Sequence, residues 1–501
     1  MARVTRIRNV DWVVAWDAAA GRHVYLRDAD VVLEGNVIRW VGPAYPGPAD
    51  ETVDGRGRLV MPGLVDLHAH PTTEPAFKGI REEHGVPAMY MTGLYERVVA
   101  FRLDEAGRAA AAEVAYSELL ASGVTSLVDL SAPFPGWLDL LGRSGLRGFV
   151  APAYASARWQ LASDHEVGFH WDEAAGRRGF EAALRLIEEA ERHPSGRLTG
   201  VVYPAQLDTC SETLLRDSVA AARRLGRPLV THAAQSVLEF QLMVRRHGTT
   251  PIQWASAIGL LGAGTILGHA LFVDEHSWLH WWSRRDLDLL AETRTAVAHC
   301  PTPFARYGQV LEHLGRYLRR GITVGLGTDV SPHNLLEEMR WAAVLGRIAA
   351  GDLTAVTTAD VLHAATVGGA RALGRDDLGR LLPGCKADLV LVDLTDVSMR
   401  PARDPLRSLI YTAAERAVRD VFVDGVRVVA DGKVLTLDRA AAAERLAEGQ
   451  RRMLEAVPRH DHAGRTAEAI APLCLPLVPG GAVDGRPGRG EGGGGTAPAA
   501  G

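Results

Sequence analysis

The chain has 501 residues, of which 47% are hydrophobic and 23% charged, and its formal net charge is −5. This is the balance of a folded globular protein, and it excludes a largely disordered chain. Acidic and basic residues are interspersed rather than gathered into a basic patch, so we expect no nucleic-acid partner. The length exceeds what one core fills, which predicts a large domain with smaller additions.

Residues 1–60 contain short alternating runs separated by Gly, Asn and Pro, which is typical of small antiparallel strands. The same texture returns in residues 383–435, where Asp424-Gly425 offers a tight hairpin turn. Two strand-rich ends around a different middle predict one small β domain built from both ends of the chain. The runs are Asp11–Ala15, Asp30–Leu33, Val37–Val41, Ala387–Val392 and Ala417–Val429.

The middle, residues 61–382, alternates apolar runs with amphipathic helical patterns, as βαβ units do. Eight parallel strands in about 270 residues favour an α/β fold of the (β/α)₈ TIM-barrel type, and a Gly-rich dinucleotide fingerprint is absent from the sequence. The predicted strands are Leu64–His68, Val124–Leu130, Arg147–Ala153, Leu198–Tyr203, Pro228–His232, Thr265–His269, Thr295–Cys300 and Ile322–Asp329. The predicted helices include Glu105–Leu120, Phe180–Arg192 and Glu212–Leu225.

The remaining C-terminal part divides in two. Residues 436–478 form a predicted helical segment, with the clearest helix at Asp438–Val457. Residues 479–501 are almost wholly Gly, Pro and Ala with a few charges, which predicts a disordered tail.

Two absences from the sequence bear on location. Met1–Asp17 mixes charged and apolar residues, and no stretch of the sequence approaches the roughly 20 apolar residues that span a bilayer. The four cysteines form no CxxC pair, so neither a zinc ribbon nor a disulfide framework is indicated. We therefore expect a cytoplasmic protein with no membrane partner.

The most informative motif is Asp66-Leu67-His68-Ala69-His70, which follows an apolar run. Residues two apart in a strand point to the same face, so both imidazoles can meet one metal ion. An isolated HxH is weak, but in barrels the catalytic groups stand at the C-terminal ends of strands. The predicted strands end at or near His70, His232, His269, His299 and Asp329.

Taken together, the motifs resemble the amidohydrolase superfamily, in the branch of triazine hydrolases, S-adenosylhomocysteine deaminases and guanine deaminases. The resemblance covers most of residues 1–435. The motifs are MPGLVDLHAH at Met61–His70, TCS at Thr209–Ser211, LVTH at Leu229–His232, ILGHA at Ile266–Ala270, AHCP at Ala298–Pro301, GLGTD at Gly325–Asp329, HAATVGGARALG at His363–Gly374 and GCKADLVLVDL at Gly384–Leu394.

The resemblance implies a barrel with a flanking β-sandwich and one divalent metal ion, Zn²⁺ or Fe²⁺. It matches His68, His70, His232 and Asp329 to the metal ligands. It also implies catalytic roles for Asp329, as proton acceptor, and for His269, as the group that orients water and stabilises an oxyanion. Relatives are commonly oligomers, so a homo-oligomer is an expectation by analogy.

The sequence itself favours a mononuclear site. Binuclear members carry a bridging carbamylated lysine, or an equivalent carboxylate, on the fourth strand. The only lysines here are Lys78, Lys386 and Lys433, and none lies on that strand. Asp208 is the one nearby carboxylate, and it falls in the following loop.

Two departures concern the substrate. Deaminases of this branch carry His-x-x-Glu after the fifth strand, whereas this chain has Gln235, which cannot deliver a proton at neutral pH. The segment that usually reads HAPYTCS lacks its histidine and has Gln206 nearby. Glu239, or Glu74, Glu82 and Glu83 from the loop after His70, could supply a carboxylate, although solvated positions are the expected ones. The candidate substrate contacts are Gln235, Gln206, His299 and Glu239; His299 is equally compatible with a structural role.

Three functions stay open on these grounds. The first is hydrolysis of a non-peptide C–N bond in a small amide, a cyclic amide or an amino-substituted N-heterocycle, by water activated on the metal ion. The second is hydrolytic dehalogenation of a heteroaromatic ring. The third is a non-catalytic binding module on the same fold, which would have no need of metal-activated water.

Overall fold

The structure is a computed structural model and describes residues 2–80, 93–163, 166–312 and 314–477. The predicted tail lies outside these residues. The strands in chain order are β1 (Val4–Asp17), β2 (Arg22–Glu34), β3 (Val37–Gly42), β4 (Glu51–Asp54), β5 (Arg58–Pro62), β6 (Leu64–Ala69), β7 (Val124–Ser131), β8 (Arg147–Tyr154), β9 (Ala157–Ser163), β10 (Glu166–Trp171), β11 (Leu198–Gly200), β12 (Tyr203–Pro204), β13 (Leu229–Ala233), β14 (Thr265–His269), β15 (Ala296–His299), β16 (Val324–Leu326), β17 (Leu389–Asp393), β18 (Val418–Val423), β19 (Val426–Ala430) and β20 (Lys433–Val434).

The α-helices are interleaved with these strands, and within the described residues none is long and apolar enough to cross a bilayer. They are α1 (Gly93–Ala100), α2 (Glu105–Ala121), α3 (Trp137–Ser144), α4 (Glu173–Glu191), α5 (Glu212–Leu225), α6 (Val237–His247), α7 (Pro251–Ala257), α8 (Asp286–Thr293), α9 (Pro301–Arg306), α10 (Leu314–Arg319), α11 (Leu335–Ala350), α12 (Thr358–His363), α13 (Gly369–Ala372), α14 (Pro405–Ser408), α15 (Arg439–His460) and α16 (Ala467–Ile470). Short 3₁₀ segments include Glu74–Phe77 and Ser277–Leu279.

The central strands are parallel and follow one another in chain order. β6, β7, β8 and β11 form one sheet, to which β12 adds by pairing with β8, and β13 to β16 form a second sheet. Isolated parallel bridges join the sheets, Val202 with Leu229 on one side and Ala69 with Asp329 on the other. Every residue of β6 and β7 is buried, as expected for strands covered on both faces. The pairings follow the strand order of a (β/α)₈ barrel.

Two of the eight predicted strands differ from prediction. The fourth is divided into β11 and β12, which are separated by Val201 and Val202. The Val201 N–H still donates to Val150 O of β8 at 2.8 Å, and Val202 bridges to Leu229 of β13. The eighth, predicted as Ile322–Asp329, is only Val324–Leu326, so Asp329 follows the strand by three residues. The antiparallel hairpin of β9 and β10 was not predicted.

Strands from both ends of the chain share one nine-stranded sheet, in the order β20-β19-β18-β17-β5-β1-β2-β3, with β4 paired to β1. β5 pairs with both β1 and β17, so it joins the N-terminal strands to the C-terminal ones. A buried ion pair, Arg147 Nε to Asp388 Oδ2 at 3.0 Å, links β8 to this sheet. A sandwich arrangement and the exact domain bounds stay predictions.

The last long helix packs back onto the central domain. α15 lies against α2, where a Cβ on Gly449 would stand 2.9 Å from the Cα of Gly107, so the two backbones nearly touch. The Gln450 amide donates to the carbonyl oxygens of Ala76 (2.6 Å) and Lys78 (2.8 Å). α15 thereby reaches the segment that follows His70.

Candidate active site

Three imidazoles converge where β6 and β13 end. His68 Nε2 and His232 Nε2 are 3.1 Å apart, and His70 Nε2 lies 3.2 Å from His232 Nε2. Asp329 Oδ1 stands 3.2 Å from His70 Nε2 and 3.5 Å from His68 Nε2. The fold has therefore brought together the four side chains that the sequence placed on strands one, five and eight.

The ring nitrogens are oriented by backbone carbonyl groups. His70 Nδ1 lies 3.0 Å from Leu130 O, and His232 Nδ1 lies 2.8 Å from Ala205 O. A carbonyl can only accept, so each Nδ1 carries the proton and each Nε2 is left with a lone pair. Lone pairs that face one another at about 3 Å repel unless a cation lies between them. The donor set of nitrogens and a carboxylate is the one that Zn²⁺ or Fe²⁺ prefers, so these residues fit such an ion.

His68 has its place because two glycines face it. A Cβ on Gly268 would stand 2.4 Å from His68 Cε1, and one on Gly327 would stand 2.6 Å from His68 Cβ. Gly268 lies on β14, directly before His269. The GH and GLG parts of the sequence motifs therefore provide the space into which the His68 ring is fitted.

Asp329 is held by its backbone as well as by its neighbours. Its φ is +58°, in the left-handed region, and its N–H donates to His68 O at 2.8 Å. Directly before it, the Thr328 hydroxyl donates to Asp66 Oδ2 at 2.7 Å, and Asp66 Oδ1 accepts from the His68 N–H at 3.0 Å. His333 Nδ1 lies 3.0 Å from the Thr328 hydroxyl oxygen. This network behind the histidine cluster was not predicted from the sequence, although Asp66 belongs to the motif.

Burial and mutual repulsion keep the imidazoles of His68, His232 and His269 neutral. Burial alone would lower the pKa of His70 as well, but the hydrogen bond to Asp329 raises it above its ordinary value. Burial lowers the pKa of His68 and of His232 to about 3. Burial also lowers the pKa of His269 well below its ordinary value. Burial alone would raise the pKa of the Asp329 carboxyl, but the imidazoles of His269, His68 and His70 hold it well below its ordinary value. Neutral imidazoles and an ionised carboxylate are the forms that bind a metal ion.

A cavity of about 370 Å³ opens above the cluster, the size of a small-molecule site. His269 lines it; its Nε2 is 3.8 Å from Asp329 Oδ2, and its ring packs edge-on against Phe304 with centroids 4.6 Å apart. The wall is rich in aromatic side chains, which include Phe77 and Tyr95. The other aromatic lining residues are Phe101, Trp159, Tyr203 and Tyr307.

The two glutamines predicted to contact substrate both line the cavity and touch each other. Gln235 Nε2 donates to Gln206 Oε1 at 2.6 Å. Glu239, the third candidate, is buried beneath them and is not part of the lining. Its two carboxylate oxygens accept from the N–H groups of Ala234 (2.8 Å) and Gln235 (2.7 Å), so it supports the loop that carries Gln235.

Glu74 differs from the solvated position expected for it. It is only 7% exposed and lines the cavity, and its Oε1 lies 3.4 Å from the Arg97 guanidinium. Burial raises the pKa of this carboxyl. Glu82 and Glu83 lie outside the described residues.

His299, the fourth candidate contact, ends β15 and is buried without lining the cavity. Its Nδ1 has no hydrogen-bond partner among the described residues. Burial lowers its pKa to about 4, so it is neutral at pH 7. His299 therefore does not line the cavity, as the predicted substrate contact would.

A profile of the amidohydrolase family matches residues 59–428, which include the whole cluster. The chain belongs to the amidohydrolase family. This amidohydrolase is 31% identical over 427 residues to a 5-methylthioadenosine/S-adenosylhomocysteine deaminase of Natronomonas pharaonis, covering 84% of this chain and 93% of the relative. It is 29% identical over 432 residues to a 5'-deoxyadenosine deaminase of Methanothermobacter thermautotrophicus, covering 84% and 95%.

Among solved structures, this amidohydrolase is similar to an atrazine chlorohydrolase of Arthrobacter aurescens TC1 complexed with zinc. The TM-score is 0.76 at 25% identity, over 89% of this chain and 100% of the other. Family and relatives confirm the prediction of a metal-dependent hydrolase of C–N bonds other than peptide bonds, and they disfavour the binding-module alternative.

Proposed function

We propose that the protein hydrolyses a C–N bond of an amino-substituted N-heterocycle or a cyclic amide, with one Zn²⁺ or Fe²⁺ ion held by His68, His70, His232 and Asp329. The barrel strands would present the site, and the flanking β domain would be a sandwich, as in the family. The observation that carries the proposal is the convergence of three imidazole Nε2 atoms and one carboxylate beneath an aromatic cavity.

The ion, when bound, supplies the Lewis acidity that makes water nucleophilic near neutral pH. Asp329 is the proton acceptor in the proposal, because its carboxylate is ionised and reaches both the histidine cluster and the cavity. His269 lies across from it, with its Nε2 3.8 Å from Asp329 Oδ2, and would orient the water and stabilise negative charge on the substrate.

The aromatic wall supports a flat heterocyclic substrate. Phe304 packs against His269, and Tyr95 and Trp159 lie edge-to-face with centroids 4.6 Å apart, so a ring can be held between apolar surfaces close to the reacting groups. The relatives named as deaminases of adenine nucleosides support release of ammonia from such a ring. Gln235 replaces the glutamate of that branch, which supports a substrate other than those nucleosides.

Dehalogenation is the second candidate, because the structural relative with bound zinc is named an atrazine chlorohydrolase. The same ring position and the same activated water would serve, with chloride instead of ammonia as the leaving group. The two reactions differ in the leaving group, because an amine must gain a proton as it departs whereas chloride leaves as the anion.

The test is a parallel assay of ammonia and chloride release from amino- and chloro-substituted triazines and pyrimidines and from cyclic amides, together with the metal content of the purified protein. We expect ammonia or amine release, and loss of metal and turnover together in His68→Ala and Asp329→Asn. His280→Ala, at an exposed histidine outside the cluster, is the matched control and should keep both. Full activity in either ligand variant would refute the proposal.

A further inference from the structure

The amides of Gln206 and Gln235 stand side by side next to the metal ligand His232. Gln206 forms a parallel backbone bridge with His232, and Gln235 follows His232 by three residues. Both side chains line the cavity, and their amides are joined by the 2.6 Å hydrogen bond. The pair is therefore a polar patch in a mostly apolar wall, close to the reacting groups.

One hydrogen bond between two amides leaves a defined set of groups for a ligand. Each amide has one carbonyl oxygen and one NH₂ group, and the bond uses one oxygen and one N–H. Whichever amide donates, a carbonyl oxygen of one glutamine and the NH₂ group of the other are left without a role in that bond. The patch thus offers an acceptor and a donor at once, and neither group ionises.

The support beneath the patch fixes Gln235 before any ligand arrives. Glu239 accepts from the N–H groups of Ala234 and Gln235, and Ala234 adopts a φ of +54°. The next residue, Ser236, is tied through its hydroxyl to the Tyr95 hydroxyl at 2.8 Å. A loop that is held in place in this way loses little freedom on binding, so its hydrogen bonds contribute more to affinity.

We propose that Gln206 and Gln235 together bind the neutral N–H/C=O edge of a heterocycle, that is, a lactam or cyclic urea edge in which a ring N–H adjoins a carbonyl. The ring N–H donates to the free amide oxygen and the ring carbonyl accepts from the free NH₂ group. This names the substrate class within the proposed function and rests on it. An ionised glutamate at residue 235 would offer only acceptors and could not donate to Gln206 as Gln235 does.

The chemistry around Gln235 follows from this pairing. A lactam nitrogen already carries its proton, so residue 235 only has to pair with it. The ring nitrogen of the C=N bond that water attacks still gains a proton, which in the proposed function comes from the attacking water by way of Asp329. The glutamine that cannot donate a proton to a ring nitrogen is then suited to the substrate. The proposal thus explains why the histidine and aspartate cluster is retained while the residue that faces the ring nitrogen is a glutamine.

The test uses matched ligands that differ only in this edge. They are 2-amino-4-oxopyrimidine with 2-amino-4-methoxypyrimidine, and 2-amino-6-oxopurine with 2-amino-6-methoxypurine. Binding to the metal-loaded full-length protein is measured by calorimetry, or by inhibition where a substrate is known. We expect the oxo member of at least one pair to bind about tenfold tighter or more, because the methoxy compound leaves buried amide groups unpaired. If neither oxo compound binds better than its partner, the proposal is overturned.

Variants test whether the two glutamine amides cause the preference for oxo over methoxy compounds. Gln206→Leu and Gln235→Leu should each bring the oxo-to-methoxy ratio to within about twofold, with metal content unchanged. Gln241→Leu, the same change at an exposed residue of α6, should keep the wild-type ratio. A ratio that survives in both cavity variants would overturn the proposal even if wild-type protein discriminates.

The outcome is separable from that of the proposed function. Preferential binding of the oxo compounds without ammonia, amine or chloride release from any compound would contradict the hydrolytic function and leave the edge recognition intact. Hydrolysis of the oxo and methoxy compounds with equal kcat/KM would support the hydrolytic function and contradict the recognition of the lactam edge.

Discussion

Replacement of Gly268 by alanine should weaken metal binding while leaving the fold in place. The added Cβ would lie 2.4 Å from His68 Cε1 and 2.8 Å from His68 Nδ1, so the ring must move about 1 Å to reach an ordinary contact of 3.4 Å. It cannot retreat freely, because the backbone at Gly327, directly after β16, lies close to the His68 Cβ. Metal–ligand distances tolerate only about 0.2 Å.

A displacement of this size should reduce metal affinity about 10- to 100-fold, the range seen when the groups that orient a ligand are removed. That is about 1.4 to 2.8 kcal/mol of binding free energy. The assay is metal retention against a chelator series, with urea unfolding of the apoprotein as the measure of folding. Gly262→Ala is the matched control, because its Cβ would meet no atom within 4 Å.

If Gly268→Ala alone is unstable, a double variant tests whether the overlap with His68 is the cause. Removal of the imidazole relieves the overlap, so His68→Ala/Gly268→Ala should unfold at the same urea concentration as His68→Ala. Wild-type metal affinity in folded Gly268→Ala would refute the placement of His68 among the ligands. A double variant much less stable than His68→Ala would show that the overlap lies elsewhere.

Other expectations concern buried charged groups. Burial raises the pKa of Glu239 to about 8. Its contribution to stability is therefore full below its ordinary pKa of 4.5 and is lost as the pH rises towards 8. Urea unfolding from pH 5 to 8 should show a fall in stability that is smaller in Glu239→Gln, and an equal fall in both proteins would contradict this. Arg147→Met leaves the buried Asp388 unpaired and should cost about 3–5 kcal/mol in unfolding free energy. The exposed control Arg451→Met should cost much less, and an equal loss of stability in the two variants would show that the Arg147–Asp388 pair is not a buried structural contact.

The sequence was sufficient for the parts of the site that depend on local spacing. His68 and His70 share a strand face, and His232, His269 and Asp329 were placed at or near strand ends, which a barrel brings together at one rim. The left-handed turn that positions Asp329 three residues after β16 depends on the chain leaving the strand early, and the preceding Gly-Thr pattern does not predict where.

Contacts between segments that are distant in the chain could not be predicted from the sequence. The bond from Gln235 to Gln206 requires β12 and β13 to be neighbours in a particular register, and the pattern around Val201, where the fourth strand breaks, does not specify it. Glu239 was expected on a solvated helix turn, yet the Ala234 backbone turns its N–H towards that carboxylate. Glu74 is buried for a similar reason, because Arg97 from α1 covers it.

One feature outside the barrel bears on how such an enzyme can diversify. Met453 of α15 lines the cavity, and Gln450 of the same helix binds the segment that carries Glu74 towards the metal cluster. The cavity wall is thus partly made by a segment that follows the last strand of the terminal sheet. Substitutions on this one helix can change the shape of the cavity without altering His68, His70, His232 or Asp329. Evolution and protein engineering can therefore change the substrate range from outside the barrel.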